Sequence, residues 1–354
     1  MIRVVGRMAA AALIAGCFFA PCASGAQGTA ISTELLTTNR LFLDRFDDVA
    51  RAGGRNLAAD IASRMILDGA AVSGPVPANF SKADWEERLS NVVRLDSELV
   101  RALLGERQEP LQTLTGLHER LARVDSDGTL QPYSIYIPSS FRAAAKPSIV
   151  VLLHGQPQTE TELLGASYFR RIAEAGGSIV VVPWGRGNYD YAPPADREVY
   201  TALDDVLKAF PVSPRHVYLA GYSMGGFSVF KVAPIHPDRW AAVLCISGAL
   251  LPADAALVRF KMRDTPFYVV TGKLDTSVAA VYGELTVGFL QDANIPVSFY
   301  EDATAEHWLS TLVKPMSAAW SDMLSGISHT GGSRFEQAGR ALLNVAPPSM
   351  TMKP

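Results

Sequence analysis

Gly221-Tyr222-Ser223-Met224-Gly225-Gly226 constrains this chain more than any other stretch. Before it runs His216-Val217-Tyr218-Leu219-Ala220, a short apolar segment of strand type. After it runs Phe227-Ser228-Val229-Phe230-Lys231-Val232, apolar at helical spacing. A strand that turns tightly into a helix through glycines is the context of a nucleophile elbow. It holds the central serine on a strained backbone with its hydroxyl clear of the sheet. Glycines flank the serine because a Cβ there would collide with the neighbouring strand and helix. An ordinary Gly-Ser turn is the plainer reading, and the flanking strand and helix argue against it.

Continuous apolar runs recur around this motif: Ser148 to Leu153, Ser178 to Val182, His216 to Ala220, Ala241 to Ile246, Pro266 to Val270 and Pro296 to Tyr300. Helical patterns separate them, the clearest at Val199, Leu203, Val206, Leu207 and Phe210. Apolar strands alternating with amphipathic helices predict a mostly parallel sheet with helices on both faces. Tyr133, Ile135 and Ile137 alternate with polar neighbours and predict one further strand. Upstream the period is helical. Leu35, Phe42, Phe46 and Val49 share a face, Trp85, Leu89, Val92, Leu99 and Leu103 share another, and Leu111, Leu114, Leu117 and Leu121 mark a third helix. Ser81 and the acidic Asp84, Glu86 and Glu87 mark a helix start. Asp125-Ser126-Asp127-Gly128 is the expected boundary between residues 29–124, a helical appendage or a lid, and a catalytic domain over 129–328. Residues 329–354 read as a loose tail, with a short helix expected at Phe335 to Leu343.

The chain has 354 residues, 48% hydrophobic and 19% charged, enough for a large core. A net charge of −3 without a basic run excludes nucleic acid as a natural partner. Arg3 and Arg7, the apolar Met8 to Ala20 and the small residues Ala23-Ser24-Gly25-Ala26 read as a signal peptide over residues 1–25, too short for a membrane span. Export to the periplasm or the medium is expected. Ile14-Ala15-Gly16-Cys17 offers the alternative of a lipid anchor at Cys17. Cleavage near residue 25 would leave Cys245 alone, in a buried-strand pattern that suits a small hydrophobe better than a nucleophile.

A serine needs a general base that a carboxylate orients. After an elbow of this kind the acid follows the serine and the histidine follows the acid. Downstream of Ser223 lie His236, His307 and His329. His236 sits in the loop that closes the elbow helix, and His329 lies at the tail. His307 follows the last strand and precedes a helix, which puts it at the carboxyl edge of the sheet; an ordinary loop histidine is the plainer reading. Val269-Val270-Thr271-Gly272-Lys273-Leu274-Asp275 is a buried strand running into an aspartate, so Asp275 is the expected acid and Asp302 the runner-up. The oxyanion needs two N–H donors. Met224, first in the elbow helix, supplies one. Gln156, in the loop Leu153-His154-Gly155-Gln156-Pro157, supplies the other, with His154 supporting that loop. Trp184, Arg186, Tyr189 and Tyr191, beyond a strand end, join Tyr222 and Trp308 as candidate pocket residues, against the reading that these are packing or loop side chains. No metalloprotease, P-loop or dinucleotide motif is present, so neither metal nor cofactor is expected.

Tyr136-Ile137-Pro138-Ser139, Leu153-His154-Gly155, Pro183-Trp184-Gly185-Arg186-Gly187, Arg215 to Gly226 and His236-Pro237-Asp238-Arg239-Trp240-Ala241-Ala242-Val243 together resemble an α/β-hydrolase of the bacterial esterase group. That group includes feruloyl esterases, polyhydroxyalkanoate depolymerases and predicted peptidases. The resemblance covers residues from about 130 to 326 and implies Ser223, Asp275 and His307 as the triad. It departs at Pro234, which interrupts the elbow helix, and over residues 29–124, which have no counterpart. The expected function is therefore an exported serine hydrolase cleaving small-molecule or polymeric carboxylic esters through an acyl-enzyme. The alternatives are a serine peptidase of prolyl-oligopeptidase type and a non-catalytic binding protein on a hydrolase scaffold.

Overall fold

The computed structural model describes residues 26–124, 128–141, 147–187 and 189–328, with side chains from residue 28. The signal-peptide residues, Cys17, most of the turn cluster at 125–128 and the tail from 329 lie outside the described residues. The strands are β1 (Gly116–Arg123), β2 (Leu130–Ile137), β3 (Ser148–Leu153), β4 (Ser178–Pro183), β5 (Val217–Tyr222), β6 (Ala242–Ile246), β7 (Phe267–Gly272) and β8 (Val297–Asp302). The helices are α1 (Ala26–Asp44), α2 (Phe46–Gly53), α3 (Arg55–Ser73), α4 (Lys82–Leu103), α5 (Glu160–Gly165), α6 (Ser167–Gly176) and α7 (Ala195–Ala209). Four more follow: α8 (Met224–Val232), α9 (Pro252–Lys261), α10 (Ala280–Asp292) and α11 (Leu309–Ser325). The chain divides into two units.

The second unit comprises Ser148–Gln156, Asp190–Ala192 and the chain from Val212. Its strands stand in the order β3-β5-β6-β7-β8, and each neighbouring pair is parallel. Every residue of β5, β6 and β7 is buried. That is why these segments read as unbroken apolar runs rather than as alternation: a parallel strand between helices has no wet face. The second unit supplies the crossover arrangement of an α/β-hydrolase, and the sheet strands within it begin within about a residue of the positions expected from the sequence.

The first unit holds the helical residues and an antiparallel trio, β1 against β2 and β2 against β4. Phe42, Val49, Leu57, Ile61, Leu99 and Leu103 form its core with Trp184. Burying each such side chain contributes about 1.5–3 kcal/mol. The single first helix expected from Leu35 to Val49 is two, α1 and α2, broken at Arg45. Helix α4 starts where expected: Ser81 accepts a hydrogen bond from Asp84 N–H, and Trp85, Leu89, Val92, Leu99 and Leu103 are buried. The third expected helix does not exist. Leu111–Thr113 is one short 3-10 turn, and Gly116–Arg123 is strand β1, paired with β2 in register from Gly116↔Ile137 to Arg123↔Leu130. The turn cluster therefore lies between two paired strands.

A buried charge cluster ties this unit together. Arg64 of α3 pairs with Glu160 of α5 through two hydrogen bonds of 2.7 and 2.9 Å, and with Asp60 at 2.7 Å and Asp96 of α4 at 3.2 Å. Burial and the Asp96 charge beside it hold the Asp68 carboxyl well above the ordinary carboxylate range.

Candidate active site

The elbow begins with a backbone that only its surroundings make tolerable. Ser223 has φ 55° and ψ −116°, outside the regions favoured by side-chain-bearing residues. Its N–H is anchored to the Ile246 carbonyl of β6 at 2.9 Å. Two glycines make the turn close. A Cβ on Gly221 would stand 2.1 Å from the Gly225 oxygen, and one on Gly225 would stand 2.2 Å from the Leu153 oxygen of β3. Both obstacles are backbone, so neither moves aside cheaply. Helix α8 then starts at Met224, whose N–H is among those left outside the helical ladder.

The other two groups come from neighbouring strand ends. Beyond β7, Lys273 N–H donates to Asp302 O and Leu274 N–H to Ala305 O, each at 2.9 Å, which zips the β7 exit to the loop after β8. Asp275 follows, its side chain fully buried. One carboxylate oxygen accepts the N–H groups of Ser277 (2.9 Å) and Val278 (2.7 Å); the other accepts His307 Nδ1–H at 2.7 Å. A carboxylate only accepts, so the imidazole proton sits on Nδ1 and Nε2 is the bare acceptor. Ser223 Oγ lies 2.9 Å from that Nε2. The three side chains expected from the sequence thus form one hydrogen-bonded chain. The runner-up Asp302 is used elsewhere: its carboxylate closes a turn by accepting Thr304 N–H (2.9 Å) and Oγ1 (2.8 Å), which lowers its pKa.

His154 is buried, and its ring Nδ1–H reaches the Gly155 carbonyl at 3.0 Å, as a loop support should. A Cβ on Gly155 would meet Ser223 Cβ at 3.1 Å, so this loop abuts Ser223, and Gln156 follows it at the surface. The Cys245 thiol is buried and pushed up to about 12, far from a reactive thiolate. Helix α8 ends at Val232, with Pro234 in a following 3-10 turn and His236 exposed beyond it.

The pocket expectations fare unevenly. Trp184 is 2% exposed; its indole N–H donates to Asp60 at 3.0 Å within the first unit's core, so it is a packing residue and not a rim residue. Arg186 is ion-paired to Glu198 of α7 in the same unit, and Tyr189 is exposed there. Tyr191 is buried rather than lining a rim. Trp308, directly after His307, is 54% exposed.

Tyr222 makes contacts the sequence did not suggest. It is 5% exposed, its ring centroid lies 5.4 Å from that of His307, and its hydroxyl donates to the His307 carbonyl at 2.8 Å. Burial and the Asp275 charge raise its pKa, so it remains a donor throughout the working range. Nothing local marks this; the hydroxyl partner lies 85 positions away. Tyr222→Phe is expected to lower kcat about three- to tenfold by loosening the imidazole. Steady-state kinetics on a p-nitrophenyl ester check it; an unchanged kcat would show that the bond does not position His307.

Comparisons with known proteins bear on the family and the fold. The curated relative "Putative esterase NocK" from Nocardia uniformis subsp. tsuyamanensis is 31% identical over 122 residues, covering 31% of this chain and 35% of the relative. Feruloyl esterase B from Talaromyces funiculosus is 26% identical over 136 residues, 35% of this chain and 38% of the relative. The chain thus spans little more than a third of each. Among solved structures, FphF, a fluorophosphonate-binding serine hydrolase of Staphylococcus aureus, superposes with a TM-score of 0.51 at 17% identity, over 59% of this chain and 98% of that one; it speaks for the fold alone. The sequence profile described as "Putative esterase" matches residues 129–323, from just before β2 into the last turn of α11 and more than half of the chain. With that match and this fold, the chain belongs to the Esterase family of α/β-hydrolases.

Proposed function

We propose that this esterase-family hydrolase is an exported serine carboxylesterase working through an acyl-enzyme, with Ser223 as nucleophile, His307 as base and Asp275 as its orienting acid. The observation that carries the reading is the continuous chain of hydrogen bonds, Ser223 Oγ to His307 Nε2 at 2.9 Å and His307 Nδ1 to Asp275 at 2.7 Å. The Ser223 oxygen attacks the ester carbonyl as its proton passes to Nε2. Met224 and Gln156 N–H groups receive the oxyanion. The imidazolium, held by Asp275, returns the proton to the leaving alcohol as the C–O bond breaks. Water, deprotonated by His307, then releases the acid and restores the serine. The apolar leader behind Arg3 and Arg7 supports export.

Two assays test the reading. Folded protein should turn over p-nitrophenyl acetate or butyrate and be labelled stoichiometrically at Ser223 by a fluorophosphonate probe, with peptide anilides cleaved far more slowly. Absence of labelling at Ser223 would refute the serine mechanism. Anilide turnover exceeding ester turnover would assign the site to a peptidase.

A further inference from the structure

We infer that the dipeptide Asp190-Tyr191 is a positioning device that sets the spacing between the two N–H donors proposed for the oxyanion. Its two side chains grip the two elements that carry them. The inference rests on the acyl-transfer reading above and adds residues that reading does not use.

The chain on either side of this short segment belongs to the first unit, whereas Asp190–Ala192 belongs to the second. Asp190 and Tyr191 have φ of 54° and 49°, consecutive left-handed residues without a glycine. A backbone of that kind persists only where contacts over-determine it, and the contacts are visible. Asp190 Oδ1 accepts Ser228 Oγ–H at 2.7 Å, and the other carboxylate oxygen pairs with Lys231. Ser228 and Lys231 lie on α8, the helix whose first residue is Met224; Ser228 Oγ is also 2.8 Å from the Met224 carbonyl. Asp190 thus holds the helix that presents the first donor.

Tyr191, 1% exposed, holds the second. Strand β3 pairs with β5 only as far as Leu153↔Gly221. The next N–H, that of His154, donates instead to the Tyr191 hydroxyl oxygen at 3.0 Å, which fixes the Leu153–His154 peptide beyond the sheet. The His154 ring packs against the Tyr191 ring at 5.4 Å between centroids, and its Nδ1–H points to the Gly155 carbonyl. That carbonyl and the Gln156 N–H belong to one planar trans peptide and point in opposite directions. Holding the carbonyl therefore aims the N–H. The path runs from Tyr191 through His154 to the donor, while Asp190, one residue earlier, is fixed to the other donor's helix.

Tyr191→Phe keeps the ring and removes the hydroxyl. With p-nitrophenyl acetate, kcat should fall about tenfold while KM stays within twofold. Inhibition by an aryl trifluoromethyl ketone, which places an oxyanion in the same hole, should weaken by the same factor, because only interactions made to the developing charge are lost. The acidic limb of the pH–rate profile should not move, since His307 is untouched. Asp190→Asn should show the same pattern more weakly, and carries the test if Tyr191→Phe does not fold. A folded variant with unchanged kcat and ketone affinity overturns the inference, as does a loss that shifts the pH limb, which would tie Tyr191 to the base. Wild-type protein that neither reacts with fluorophosphonate nor binds the ketone overturns the serine mechanism itself, a separate outcome.

Discussion

Ser223→Ala is expected to lower kcat for a p-nitrophenyl ester by about five to six orders of magnitude with little change in KM. His307→Ala should cost about as much, and the double variant no more than either alone. In the proposed mechanism the three groups work as one unit: without the hydroxyl the imidazole has nothing to activate, and without the imidazole the hydroxyl keeps its proton. Asp275→Ala should lose less, about four orders. It does not touch the reacting atoms; it accepts Nδ1–H at 2.7 Å and so fixes which imidazole nitrogen faces the serine. Rate over the uncatalysed reaction should survive in every variant, supplied by the oxyanion donors and by binding. Ser223→Ala retaining more than about 1% of wild-type kcat would reject Ser223 as nucleophile, as would additive losses in the double variant.

The parallel strands and the hydrogen-bonded trio Ser223, His307 and Asp275 were legible in the sequence for one physical reason. A strand buried on both faces must be apolar throughout, and the ends of such strands are where polar residues reappear. Ser223, Asp275 and His307 each follow a strand of the second unit closely, so a short span after each apolar run held few candidates. The elbow's glycines were legible because their obstacles are backbone atoms that no substitution elsewhere relieves. The features that local sequence does not carry depend on partners distant in the chain. Leu111, Leu114, Leu117 and Leu121 have helical spacing, yet 116–123 is a strand. Its inward positions include the buried acid Glu119, which is bonded to Ser134 of β2, and an inward acid erases the alternation by which a strand is recognised. Trp184 sits where ligand-lining residues are common, but Asp60, 124 positions upstream, takes its indole N–H into the helical core. Tyr222 and Tyr191 read in the sequence as candidate pocket residues. What the structure adds for each is a buried hydroxyl bonded to a distant partner, which no periodicity records.

Arg64→Met should be the most damaging substitution away from the active site. The guanidinium is 4% exposed, and the Glu160 and Asp96 side chains it faces are 0% and 6% exposed. Removing the cation while leaving those carboxylates buried is expected to cost about 3–5 kcal/mol, since uncompensated buried charge is far worse than a buried pair is good. The sign of its pH dependence follows. Burial already raises the Glu160 carboxyl from 4.5 to about 7, with Arg64 the strongest influence opposing the rise. Asp96, likewise raised by burial and held down by Arg64, joins it. Loss of Arg64 lifts both further. A carboxyl whose folded pKa exceeds its unfolded value favours folding at low pH and loses that contribution as pH rises through the folded value. The deficit of the variant should therefore be small near pH 5 and several kcal/mol at pH 8, read from denaturant melts at the two values. Replacing Glu160 by Gln in the Arg64→Met background should recover much of the loss at pH 8, because the neutral amide needs no counter-charge. A deficit of equal size at both pH values would mean that Arg64 stabilises the unit through packing of its stem rather than through charge.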